Sequence, residues 1–289
     1  MMRIPLLALP AVLALVGCAA PAEIHDVPYD NRFGDQTTMD IYLPAGEPAR
    51  SPAIMMIHGG AWRFGTKDAY RDAAVRYARS GWVAVSIKYR LGPAGVYPRA
   101  VQDCVCALAY LRAHADDYGI DPNRIAVTGY SAGGHLASLV GVAGDAPEHL
   151  PDCDAGGTGL PNAIISAAGA QDLHGKDHQW VNDFMGGSEG DNPDRWNQAS
   201  PIFHVAPDKP PLLMITGGAD WFADYDDLDS MRSKMLKNGN DAELLLINGG
   251  GHLLNPDENG GAIDLEVADM TPEAWAASSD FLDRTLGWP

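Results

Sequence analysis

One short stretch constrains this chain more than any other. An apolar run at residues 124–128 leads into Gly129-Tyr130-Ser131-Ala132-Gly133, and the pattern behind it is helical from Ser131 to about Ala143. A Gly-x-Ser-x-Gly sequence alone is weak, since a chain with 32 glycines can spell it by chance. Placed between a buried strand and a helix it is much stronger. That layout forces a tight turn and lifts the serine hydroxyl to the C-terminal edge of a sheet. Small residues on either side let neighbouring backbone approach, and the helix N-terminus behind Ser131 favours developing negative charge.

The rest of the chain supplies a sheet for that turn. Strand patterns occur at residues 24–29, 38–43, 53–57, 82–87, 124–128, 163–166, 212–216 and 243–247. A helix is expected over 99–118, with Val101, Cys104, Leu108 and Leu111 on one stripe, and another follows Thr271-Pro272-Glu273. Strands alternating with helices predict an α/β fold: a mostly parallel eight-stranded sheet, helices on both faces, opened by an antiparallel pair. Residues 172–211 break the rhythm. They are rich in Gly, Asp, Asn, Trp and His, and a connection this long is usually functional.

A serine hydroxyl needs a base, and the base needs a carboxylate to orient it. In a sheet of this type the chain order is serine, acid, histidine. The strand at 212–216 ends in Gly217-Gly218-Ala219-Asp220, and the next ends in Gly249-Gly250-Gly251-His252. Asp220 and His252 therefore fall on loops at the same edge as Ser131. Asp224, Asp226 and Asp227 compete with Asp220 but read as the solvated start of the following helix. His135, one turn beyond the serine, is expected to pack against the sheet.

The charge is −18. That argues against nucleic acid and against an anionic membrane surface as partner. At the N-terminus, Met1-Met2-Arg3 precedes an apolar run at residues 4–16, too short for the roughly 20 residues a membrane span takes but matching a signal peptide. It ends in Leu15-Val16-Gly17-Cys18, resembling a bacterial lipobox in which Cys18 is lipidated and becomes the first residue. An ordinary signal cut near Ala20 is the alternative. The lipobox reading implies signal residues 1–17, a catalytic domain over 18–289, and an exported lipoprotein, periplasmic or anchored at the outer membrane and touching membrane only through its lipid. Of the other cysteines, Cys104 and Cys106 point to different faces of their helix. Either can pair with Cys153, and one thiol stays free.

His58-Gly59-Gly60-Ala61-Trp62-Arg63-Phe64-Gly65, Tyr118-Gly119-Ile120-Asp121-Pro122 and Ser131-Ala132-Gly133-Gly134-His135-Leu136-Ala137 resemble the hormone-sensitive-lipase-like branch of α/β-hydrolases. So do Ser200-Pro201 and the spacing from Gly169 to Leu173. The similarity is greatest to compact bacterial carboxylesterases, among them feruloyl and acetylxylan esterases. The resemblance implies ester hydrolysis without cofactor or metal, with oxyanion donors at the amides of Gly60, Ala61 and Ala132. Ala61 stands where the family's loop has its third glycine. Only about forty residues separate Cys18 from His58, so the helical cap of larger members is missing and the cap is minimal. Residues 172–211 must then shape the entrance, with His174, His178, Trp180 and Phe184 as candidate substrate contacts or simply an exposed acidic loop. Trp62, Trp221 and Phe222 are candidate pocket walls or ordinary packing. The ester partner is a small molecule or a polymer side chain; no oligomeric state follows. Two other readings use the same residues: an amidase-type hydrolase such as a kynurenine formamidase, and a silent carbohydrate-binding protein of this fold.

Overall fold

The computed structural model describes residues 20–46, 50–155, 159–254 and 271–287. Cys18, the signal residues and the proposed boundary at residue 18 lie outside them.

The eight strands are β1 (Ala22–Pro28), β2 (Thr38–Leu43), β3 (Ser51–Ile57), β4 (Val83–Ile87), β5 (Ile120–Tyr130), β6 (Ala163–Ala167), β7 (Leu212–Gly217) and β8 (Ala242–Ile247). They form one sheet in the order β1-β2-β4-β3-β5-β6-β7-β8. β1 and β2 run antiparallel, β2 meets β4 antiparallel, and the remaining neighbours are parallel. The central strands are apolar on both sides because both faces are covered. Met55, Val85 and Val127 point into one core with α2 (Arg99–Ala113), α3 (Ala132–Ala143) and α6 (Tyr225–Lys237). Their chain neighbours Met56, Ala84 and Ala126 point into the other with α1 (Arg71–Arg79) and α7 (Pro272–Leu286). Parallel neighbours joined by helices put the C-terminal ends of β3, β5, β7 and β8 at one edge, where the functional loops emerge.

The structure departs from the sequence pattern in four places. α1 has no counterpart in the periodicity; its interior is mostly alanine, with Tyr77 as the one large buried anchor. α2 stops at Ala113, because the chain must turn through 114–119 to enter β5 at Ile120, whose amide bonds the Ala115 carbonyl. Asp121 and Pro122 make a turn as expected, but inside β5, where the pairing with β3 shifts between Ser51 and Ala53. Residues 172–211 are no open loop: they hold α4 (Gln179–Met185) and α5 (Pro193–Ala199), each seven residues and too short to show a period. These pack inward through Val181, Phe184 and Trp196.

Cys106 and Cys153 form a disulfide, and Cys104 is free and buried. The bond ties α2 to the segment ahead of β6.

Candidate active site

Ser131 sits in the turn from β5 to α3 with φ 54° and ψ −118°, a conformation that strains a non-glycine residue by about 1–3 kcal/mol. The turn is held by contacts only small residues allow. A Cβ at Gly133 would lie 1.9 Å from the Ile57 carbonyl oxygen, and one at Gly129 would lie 2.2 Å from that of Gly133. The Ser131 amide donates to the Ala167 carbonyl (2.8 Å) and so fixes the turn against β6.

The Ser131 Oγ lies 2.9 Å from His252 Nε2. His252 Nδ1 faces Asp220, 3.1 Å from Oδ1 and 3.0 Å from Oδ2. Asp220 Oδ1 also accepts the amides of Phe222 (2.8 Å) and Ala223 (3.0 Å). Burial alone would raise this carboxyl, but the bonds from His252 and the two amides outweigh it and hold the carboxyl below its ordinary value. The acid and histidine loops are joined directly, the Ala219 amide donating to the Gly250 carbonyl (2.8 Å). Tyr130, next to the serine, donates its hydroxyl to the His252 carbonyl (2.5 Å). Sequence reasoning gave Tyr130 no role. Its only signal was its place beside the nucleophile.

Opposite Ser131, the loop after β3 turns sharply. Gly60 has φ 109°, and a Cβ there would lie 2.3 Å from the Phe64 carbonyl oxygen. Ala61 adopts the left-handed region at φ 52°, so alanine serves at the position of the third glycine. The amides of Gly60, Ala61 and Ala132 take no acceptor among the described residues, while the amides of Arg63 and Phe64 close the turn onto the Gly60 carbonyl. His58 anchors the loop: its Nδ1 donates to the Gly59 carbonyl (2.8 Å), its ring stacks on Tyr89 at 4.4 Å, and burial pushes it down to about 4.

These groups border a cleft of about 500 Å3. Its walls include Phe64, Trp180 and Trp221, and the outer two are exposed. A second, more polar hollow of about 600 Å3 adjoins at Arg63 and is lined by Gln179, Asn182, Asp183 and Ser188.

The other candidate contacts divide. Trp180 and Trp221 border the cleft, and His178 stacks on Trp180 (5.2 Å) behind it. Trp62 does not border it. It is buried, stacked on Phe184 at 4.4 Å, because a large apolar ring beside the loop after β3 gains more from the core than from the rim. His174 is also away from the cleft. Its Nδ1 bonds Glu189 (2.6 Å) and its Nε2 bonds Asn197 (3.0 Å), joining the segments on either side of α4. His135 is buried on α3, its ring against Trp62 and Phe184, and its Nε2 donates to the Ala199 carbonyl (2.7 Å). Asp226 is exposed at the start of α6 as expected, but the Asp227 side chain is only 7% exposed and accepts the amides of Gln171 and Asp172. Among the described residues no cluster of three His, Cys, Asp or Glu side chains could hold a metal ion.

Sheet order, elbow serine and paired loops at one edge define the α/β-hydrolase class. The chain belongs to the BD-FAE family, whose model matches residues 39–235. It is 32% identical over 200 residues to the esterase LipC of Mycobacterium tuberculosis, covering 65% of this chain and 50% of that protein. The chain spans about half the length of the curated relatives it matches. In fold it is similar to a truncated carbohydrate esterase from gut microbiota, at TM-score 0.77 and 23% identity, covering 92% of this chain and 96% of that one. It is also similar to Thermogutta terrifontis esterase 2 phosphoramylated by tabun, at TM-score 0.73 and 24% identity, covering 93% and 97%.

Proposed function

We propose that this chain is a serine carboxylesterase with Ser131, His252 and Asp220 as its triad. The observation that carries the reading is the unbroken line of contacts from the Ser131 hydroxyl through both His252 nitrogens to the Asp220 carboxylate. In the reaction His252 Nε2 takes the hydroxyl proton as Ser131 Oγ attacks the ester carbonyl. The amides of Gly60, Ala61 and Ala132 stabilise the resulting oxyanion. The intermediate collapses, His252 returns the proton to the leaving alkoxide, and an acyl-Ser131 remains. Water then attacks, His252 takes one of its protons, and the second collapse releases the acid and restores the serine.

The cleft supports a reading of the substrate class. Aromatic walls at Phe64, Trp180 and Trp221 suit a short or planar acyl group. In the adjoining hollow, Arg63, Gln179, Asn182, Asp183 and Ser188 offer polar partners beside Pro93 and Val96, which suits a hydroxyl-rich alcohol, as in a plant-polymer side-chain ester. Relatives described as esterases support ester hydrolysis over amide hydrolysis. The apolar run ending in Leu15-Val16-Gly17-Cys18 supports export with a lipid on Cys18.

Ser131→Ala should abolish p-nitrophenyl acetate hydrolysis and fluorophosphonate labelling while leaving the fold intact. Wild-type turnover in that variant sinks the assignment. Esters of graded acyl length, acetylated xylan and methyl ferulate then rank the substrates.

A further inference from the structure

The segment His174-Gly175-Lys176-Asp177-His178 has no place in the triad, and its lysine is the informative residue. The Lys176 side chain is 13% exposed and its ammonium lies 3.6 Å from Asp227 and 3.7 Å from Asp224. It donates to the Phe222 carbonyl at 2.5 Å. That carbonyl belongs to the same peptide unit as the Ala223 amide, which donates to Asp220 Oδ1. In a trans peptide C=O and N–H point in opposite directions. A cation fixed on the oxygen therefore aims the N–H at the catalytic acid and, by polarising the amide, strengthens it as a donor. The next carbonyl, of Ala223, is held by the Thr216 hydroxyl (2.6 Å). Asp227 completes the arrangement, its two oxygens accepting the amides of Gln171 (3.0 Å) and Asp172 (2.9 Å). Three pieces of chain meet at one ion pair: the segment after β6, the acid loop and the first turn of α6.

We propose that Lys176 is a positioning residue for the reaction, locking the peptide plane that orients Asp220 and fastening the acid loop to the segment after β6. This rests on Ser131, His252 and Asp220 being the triad. A residue that works only through Asp220 should lose its effect when the carboxylate is gone, whereas a general structural role would add independently.

The test is a double-mutant cycle of Lys176→Met with Asp220→Ala, which removes the acceptor of the Ala223 amide, read as kcat and KM for p-nitrophenyl acetate on folded protein. Lys176→Met alone should lower kcat about tenfold with KM changed less than about twofold. In the Asp220→Ala background the same change should cost less than about twofold. If the Met variant does not fold, Lys176→Gln replaces it under the same two criteria. Wild-type kcat in the single variant, equal losses in both backgrounds, or failure of both variants to fold overturns the proposal. A wild-type enzyme that fluorophosphonate does not label overturns the triad instead, and that failure is read separately.

Discussion

Asp220→Asn is the sharpest probe of the triad, because the structure dictates how the new amide must sit. The Asp220 Oδ1 position accepts the Phe222 and Ala223 amides at 2.8 and 3.0 Å. An asparagine must keep its carbonyl oxygen there, since turning it would set an NH2 against two N–H groups. Its NH2 therefore takes the Oδ2 position, 3.0 Å from His252 Nδ1. Two donors cannot face each other, so the imidazole keeps its proton on Nε2, the nitrogen 2.9 Å from Ser131 Oγ. The base is then already protonated where it should receive the serine proton. In triads this exchange costs about 10⁴ in kcat, about 5.5 kcal/mol of transition-state stabilisation. Steady-state p-nitrophenyl acetate hydrolysis at pH 8, with thermal melts to verify folding, measures it. Asp226→Asn is the control. Asp226 is exposed in the first turn of α6, so turnover should stay within about twofold. The reasoning is refuted if Asp220→Asn keeps more than a tenth of wild-type kcat, or if Asp226→Asn falls as far.

Two further outcomes concern stability. His58 and His135 are buried neutral, each lowered from 6.5 to about 4 by burial, so their contribution is present above pH 6.5 and lost as pH falls towards 4. At about 1.4 kcal/mol per pH unit each stores about 3 kcal/mol. Asp227, raised by burial from 3.8 to about 6, acts in the opposite sense by about 3 kcal/mol, so these three groups together favour unfolding as pH falls from 7 to 4. Urea unfolding across that range should show it, and an unchanged midpoint contradicts it. The Cys106–Cys153 disulfide joins residues 47 apart, so Cys153→Ser should lower stability by about 4 kcal/mol on the loop-closure argument. Its thermal midpoint should match that of the reduced wild type, and a midpoint equal to the oxidised wild type would count against it.

The three residues that the structure brings together were legible because each is announced locally. Ser131, Asp220 and His252 each follow an apolar strand pattern and one or more glycines, and a strand end fixes the edge on which a side chain emerges. What surrounds them depends on contacts between distant segments, which spacing does not encode. Asp227 read as solvated from its acidic neighbours, yet the segment after β6 covers it and donates two amides. Trp62 and Trp221 were equivalent in sequence, each beside a catalytic loop. The core takes one and leaves the other 61% exposed. His174 looked like a cleft residue because it lies in the long connection, but Glu189 and Asn197 occupy both its nitrogens.

The division of labour among these pieces of chain has an evolutionary consequence. The proposed triad hangs on strand ends and on loops that bond to one another, as the Ala219 amide does to Gly250. The insertion between β6 and β7 reaches the cleft through Trp180 on α4 and borders the polar hollow with the same helix. On the proposed function, substitutions along the outer face of α4 should retune which alcohol or acid is accepted without disturbing proton transfer. In directed evolution, libraries confined to residues 179–188 should yield new selectivities at undiminished turnover far more often than libraries in the acid loop.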